Sequence, residues 1–199
     1  MRKFLIAALL CLVGAQCFAQ KEYKATVFGC KSDGITDNTG SIQKAVDFIS
    51  EKGGGTLVFY VGRYVTGSIE LKSNVTIKLA EAAVLVGTTN IYGYKGAPAL
   101  IWAKDQANVA VIGKGVIQGN DKALLANIAD QKAKGHINEV TVPALISFEG
   151  CTNAKVNDLK LQDSPAEKAI LGDAKVEGVY LLGDGTITTP EGKTVKIKK

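Results

Sequence analysis

The sequence is short of the residues that build cross-linked, metal-bound or multi-domain proteins. It has four cysteines, and two of them, Cys11 and Cys17, fall in an N-terminal leader. The remaining pair, Cys30 and Cys151, lie far apart with neither metal-ligand spacing nor a disulfide framework. Each is read as a small buried apolar residue. Proline occurs four times, and no low-complexity or linker-like stretch marks an internal domain boundary. Apolar runs are short as well. The longest, Phe4 to Val13 behind Met1-Arg2-Lys3, falls below the roughly twenty residues of a membrane span. A basic start, an apolar core and a cut after Ala19 read as a signal peptide over residues 1–19. Residues 20–199 are then one domain, secreted or periplasmic. Gly14-Ala15-Gln16 before Cys17 fits a lipid-attachment site poorly, so a lipoprotein is not expected. Losing Arg2 and Lys3 lowers the formal +5 to about +3. That balance makes no case for nucleic acid, although scattered lysines could help the approach to an acidic polysaccharide.

Glycine is what the chain has in abundance, with 22 residues. From Gly53 to Ile77 a glycine turn, a β-branched strand, a second glycine turn, another strand, an Asn-containing turn and a third strand follow one another. No helix fits between these strands, so they pair as hairpins or stack as coils. One earlier stretch is predicted to be helical, Asn38 to Glu51. Ile42, Ala45, Val46 and Ile49 form its apolar stripe, with N-cap oxygens in Asp37, Asn38 and Thr39 and a stop at Gly53 to Gly55. Asp33 to Asn38 superficially resembles a calcium loop, but it lacks acidic alternation and reads as a turn.

Four stretches overlay, starting at Ser73-Asn74, Ala107-Asn108, Thr152-Asn153 and Gly172-Asp173, each followed by alternating apolar positions. The last two are 20 residues apart, the length of one solenoid turn. The fold expected is all-β, a single-stranded right-handed parallel β-helix with the early helix capping its first coil. A β-sandwich would need hairpin turns, which only Gly183-Asp184-Gly185 resembles. Strand-like segments continue to the C-terminus with no capping helix, so the solenoid is expected to run on uncapped and open to self-association.

Several ordered motifs carry a family resemblance: Asp37-Asn38-Thr39, Gly53-Gly54-Gly55-Thr56, Gly62-Arg63-Tyr64-Val65-Thr66-Gly67, Ile112-Gly113-Lys114-Gly115-Val116-Ile117-Gln118-Gly119 and Leu161-Gln162-Asp163-Ser164-Pro165. Together they resemble the N-terminal half of the polygalacturonases, glycoside hydrolase family 28 of the pectate-lyase-like superfamily. The resemblance implies inverting hydrolysis of galacturonan by two carboxyls about 6.5–9.5 Å apart. The family motifs that hold those groups are Asn-Thr-Asp, Asp-Asp, Gly-His-Gly and Arg-Ile-Lys, and none occurs in this sequence. The only histidine, His136, lies upstream of where Gly-His-Gly belongs. Arg63 is the sole arginine beyond the leader. No catalytic residue is carried over, and no cofactor or metal is expected.

Where the family places aromatic and histidine groove contacts after its Asn-Ser-Pro, this chain has Asp163-Ser164-Pro165-Ala166-Glu167-Lys168. The substrate-binding candidates are therefore Glu167, Lys168, Asp163 and His136. The plainer readings are a solvated Glu-Lys pair, a turn-forming aspartate and a surface histidine. Trp102 and Tyr94 are candidates for stacking on sugar, with Trp102 assigned to the core because it follows Leu100-Ile101. Three functions stay open: a non-catalytic polysaccharide-related β-helix, a hydrolase with a relocated site, and a structural, adhesive or truncated product.

Overall fold

A computed structural model describes residues 21–183 and 186–196. The expected signal peptide lies outside the described residues.

Strand propensity and turn spacing produce three long sheets. The strands are β1 (Glu22–Lys24), β2 (Asp33–Asp37), β3 (Gly55–Phe59), β4 (Gly62–Thr66), β5 (Ile69–Glu70), β6 (Val75–Leu79), β7 (Ala83–Gly87), β8 (Ala99–Lys104) and β9 (Ala110–Gly113). They continue with β10 (Val116–Gln118), β11 (Ala144–Glu149), β12 (Lys155–Asn157), β13 (Lys160–Gln162), β14 (Ile170–Gly172), β15 (Lys175–Glu177), β16 (Tyr180–Gly183), β17 (Thr186–Thr188) and β18 (Thr194–Lys196). The helices are α1 (Thr39–Glu51) and α2 (Asp121–Ala133). Sheet A has the order β1-β3-β6-β9-β12-β15, sheet B runs from β2 to β18, and sheet C is β5-β8-β11-β14. Successive coils visit each sheet in turn and pair in parallel, which makes a right-handed parallel β-helix.

The Asn-led repeats superpose in register, with Ile77, Val111, Val156 and Val176 in one inward row of sheet A. Tyr64, Leu85, Ile117, Leu161 and Leu181 make the matching row of sheet B. Ile69, Ile101, Ile146 and Ile170 line sheet C. The rows meet in one continuous apolar core. Each fully buried aliphatic side chain contributes about 1.5–3 kcal/mol.

The corner between sheets C and A turns through Asn74, Asn108 and Asn153, whose φ angles are +65°, +57° and +56°. Asparagine tolerates that left-handed conformation and its amide can bond along the stack. Asn153 Nδ2 donates to Asn108 Oδ1 at 2.9 Å, and Asn108 Nδ2 donates to Asn74 Oδ1 at 2.8 Å. In the coil below, Gly54 holds the same corner at φ +117°, where a Cβ would lie 2.6 Å from Asn74. Only glycine fits there.

Helix α1 buries the four predicted residues, Ile42, Ala45, Val46 and Ile49. Asp37 takes the capping role, accepting the Thr39 N–H at 2.8 Å. Asn38 occupies the N-cap position, but its buried amide turns inward to the backbone of Lys31, Thr36 and Val65. Gln43 on this helix accepts the Glu70 N–H and donates to the Glu70 carbonyl, both at 3.0 Å. One side-chain amide thereby replaces a neighbouring strand at the β5 edge of sheet C, which is how the helix closes the first coil.

Two sequence expectations need correction. The one expected helix is joined by a second, α2, in the segment between Gly119 and Pro143. Alanine, leucine, lysine and glutamine there favour a helix, Asp121 lies in its first turn, and Gly135 turns the chain at φ +70° after it. Its periodicity is weak because only Leu124 and Ile128 are buried. The solenoid also does not run on to the C-terminus. β17 pairs antiparallel with β16, and β18 pairs antiparallel with β17. Gly183 pairs with Thr186 across two residues, far fewer than the roughly 20 of another coil, so the chain can only fold back.

Candidate functional site

Asp163 follows β13 in the left-handed region, at φ +52°. Its carbonyl accepts the Asp121 N–H at 3.2 Å at the start of α2, and its carboxylate accepts Gln118 Nε2 at 3.0 Å. Gln118 Oε1 in turn accepts Arg63 Nη2 at 2.8 Å. A chain of side chains thus runs along the outer face of sheet B from an exposed cation, through an amide, to a half-buried carboxylate. Asp163 thus combines a left-handed turn with a hydrogen bond along the stack. Arg63 and Gln118 were not among the sequence candidates. The signal available was that Arg63 is the lone arginine after the leader and that Gln118 stands in a strand-ending Gln-Gly.

Glu167 and Lys168 are exposed on the turn from Asp163 to β14, where Ser164 Oγ donates to the Ala166 carbonyl at 2.9 Å. The structure brings these two to the same corner as Asp163. It does not bring His136 there. His136 follows the far end of α2, whose 13 residues span about 20 Å. Its N–H donates to the Gln131 carbonyl at 3.0 Å, and its Nδ1 lies 3.1 Å from Gln131 Oε1. The same amide oxygen accepts the Tyr92 hydroxyl at 3.0 Å.

The larger cleft lies elsewhere. A cavity of about 820 Å³ opens between α1, strand β5 and the turn of residues 91–98. Gln43, Lys44 and Asp47 line it from the helix, Ser68 and Glu70 from the β4–β5 segment, and Tyr94, Lys95 and Pro98 from the turn. Trp102 completes the wall. This corrects its assignment to the core: Ile101 and Ala103 point inward and are buried, while Trp102, between them, faces outward and is half-buried beside Glu70. Strand alternation decides this, because a residue's neighbours in a strand face the opposite side. Tyr94 is buried, its hydroxyl donates to the Thr88 carbonyl at 3.3 Å, and burial pushes its phenol well above the ordinary value. A smaller cleft of about 550 Å³ lies on the sheet A side, among Lys78, Lys114, Lys155 and Asp158. Among the described residues no three His, Cys, Asp or Glu side chains cluster in a way that could hold a metal ion.

With this geometry in view, the family model for glycosyl hydrolases family 28 matches residues 57–192. The exo-poly-alpha-D-galacturonosidase of Dickeya chrysanthemi is 29% identical over 85% of the chain, and the match spans about a third of that relative, 33%. A structure from Parabacteroides merdae, provisionally named a glycosyl hydrolase, is 48% identical with a TM-score of 0.78, covering 81% of this chain and 74% of that one. The family 28 exopolygalacturonase of Yersinia enterocolitica superposes with a TM-score of 0.71 at 20% identity, covering 83% of this chain and 39% of its own.

Proposed function

The chain belongs to glycosyl hydrolases family 28, and on that premise we propose that it is a secreted pectin-related β-helix that binds galacturonan-type polysaccharide without the family's usual hydrolysis. The observation that carries the reading is the state of Asp163. Inverting hydrolysis needs one carboxyl to protonate the glycosidic oxygen and a second to activate water across the sugar. Asp163, the carboxylate at the end of the motif-bearing stretch, is held by Gln118, and its carbonyl accepts the Asp121 N–H at the start of α2. Glu167 is exposed on a turn, and His136 is a helix length away.

The test is reducing-sugar release from polygalacturonate alongside affinity electrophoresis in gels containing it. The expected result is retardation without release. Release that Glu167→Gln or Asp163→Asn abolishes would establish a relocated hydrolase site instead. Export is checked by N-terminal sequencing of the processed protein, expected to begin at Gln20.

A second reading, a structural or self-associating β-helix, is favoured by one observation. Val176 and Leu181 continue the inward rows, yet they are 45% and 38% exposed on the last coil, whose β15 and β14 are the edges of sheets A and C. Sedimentation that shows a concentration-dependent dimer would support it.

A further inference from the structure

We propose that the cleft between α1 and the turn of residues 91–98 binds one uronate ring of an acidic oligosaccharide, with Trp102 as the platform for the ring and Lys44 and Lys95 as the cations for its carboxylate. This rests on the polysaccharide-binding reading above and gives it a place on the molecule, away from the Asp163 corner.

Three observations carry it. The first is shape: the cleft, at about 820 Å³, is of the size that takes small ligands, and its walls are the packed helix α1, the outer side of sheet C and the turn of residues 91–98. The second is the platform. Trp102 stands outward on β8 directly beside Glu70, in a wall whose remaining apolar surface comes from Tyr94, Ala97 and Pro98. An aromatic ring flanked by hydrogen-bonding groups suits a pyranose, which has apolar C–H faces and a polar rim.

The third is charge. The cleft holds three carboxylates; Glu70 has a cationic partner, whereas Asp37 and Asp47 accept from neutral donors and keep their charge. Asp37 accepts the Thr39 N–H at the start of α1, Asp47 accepts the Gln43 amide at 3.0 Å, and Glu70 is paired with Lys72 at 2.7 Å. Lys44 and Lys95 are exposed on opposite sides of the opening, and neither has an ion-pair partner among the described residues. The cations at the opening without an ion-pair partner are thus Lys44 and Lys95, which beside the aromatic face favour an acidic sugar over a neutral one. Asp47 and Glu70 retain lone pairs for sugar hydroxyls.

Trp102 is the protein's single tryptophan, so its fluorescence reports this cleft alone. Titration with trigalacturonate should give a saturable emission change. Lys44→Ala with Lys95→Ala should weaken that binding by about tenfold or more, and a neutral galactotriose should give no saturable change. An equal response to the neutral trisaccharide, or unaltered affinity in the double variant, would overturn the proposal. Retardation by polygalacturonate without any tryptophan response would overturn this site while leaving the proposed function standing. Failure of both assays would sink both. Because both lysines are exposed, the double variant is expected to fold, and an unchanged melting temperature verifies that.

Discussion

Asn108 has a conformation that few residues accept and two neighbours that depend on it. It donates to Asn74, accepts from Asn153, and holds φ +57°. Asn108→Ala is expected to destabilise the protein by about 1–2 kcal/mol, from left-handed strain with a smaller contribution from exposed hydrogen bonds. Asn108→Gly, which removes only the ladder, should cost less than half of that; comparing the two urea midpoints checks the division. The sequence alignment placed these asparagines at one corner, but it could not reveal the side-chain ladder, since any turn rich in asparagine reads the same. Cysteine tells a similar story. Burial pushes the Cys30 thiol up from 9.0 to about 11, so the folded state favours the neutral thiol. The stabilisation is fully present below pH 9 and is lost as pH rises from about 9 toward 11. Cys151 is partly exposed, so it did not become the buried apolar residue expected of both. Iodoacetamide at pH 8.5, with peptide mapping by mass spectrometry, should modify Cys151 in the native protein and Cys30 only after unfolding.

Helix α1 was legible and α2 was not, and the difference is the breadth of the buried face. α1 presents four buried apolar residues at three-and-four spacing against sheet and turn, whereas α2 buries only Leu124 and Ile128 and bonds to the 91–94 turn through Asn127 and Gln131. An element held by polar contacts to a distant turn leaves little periodicity to read. The role of Gln43 was invisible for the same reason: its amide serves as the missing neighbour of β5. Gln43→Ala leaves the Glu70 N–H and carbonyl without those bonds and should cost about 1–3 kcal/mol. Gln43→Glu should cost a comparable amount, because a carboxylate cannot donate to the carbonyl. Thermal melts of both variants, with circular dichroism reporting retained α1, provide the check. Trp102 belongs here as well, since the outward side of β8 becomes a cleft wall only when α1 and the 91–98 turn stand opposite it.

Across the whole molecule, one row of side chains has different worth in different coils. Val156 is fully buried, while Val176, its neighbour in register, is 45% exposed. Val156→Ala should therefore lower stability by about 2 kcal/mol, and Val176→Ala by less than about 0.5 kcal/mol. Equal shifts of the urea midpoint would mean that the last coil is covered in solution, as self-association requires. The period, the Asn-led corners, the first helix and membership of a β-helix class follow from local rules: alternation sets the inward rows, and glycine or asparagine sets the turns, so the chain alone determined them. Which end folds back, where α2 lies, which carboxylate is tied to Gln118 and which face carries the large cleft were decided only in three dimensions. The reason is distance along the chain. Arg63, Gln118 and Asp163 are joined through hydrogen bonds spanning 55 and 45 residues, and a contact between residues so far apart becomes readable only once the coils have stacked.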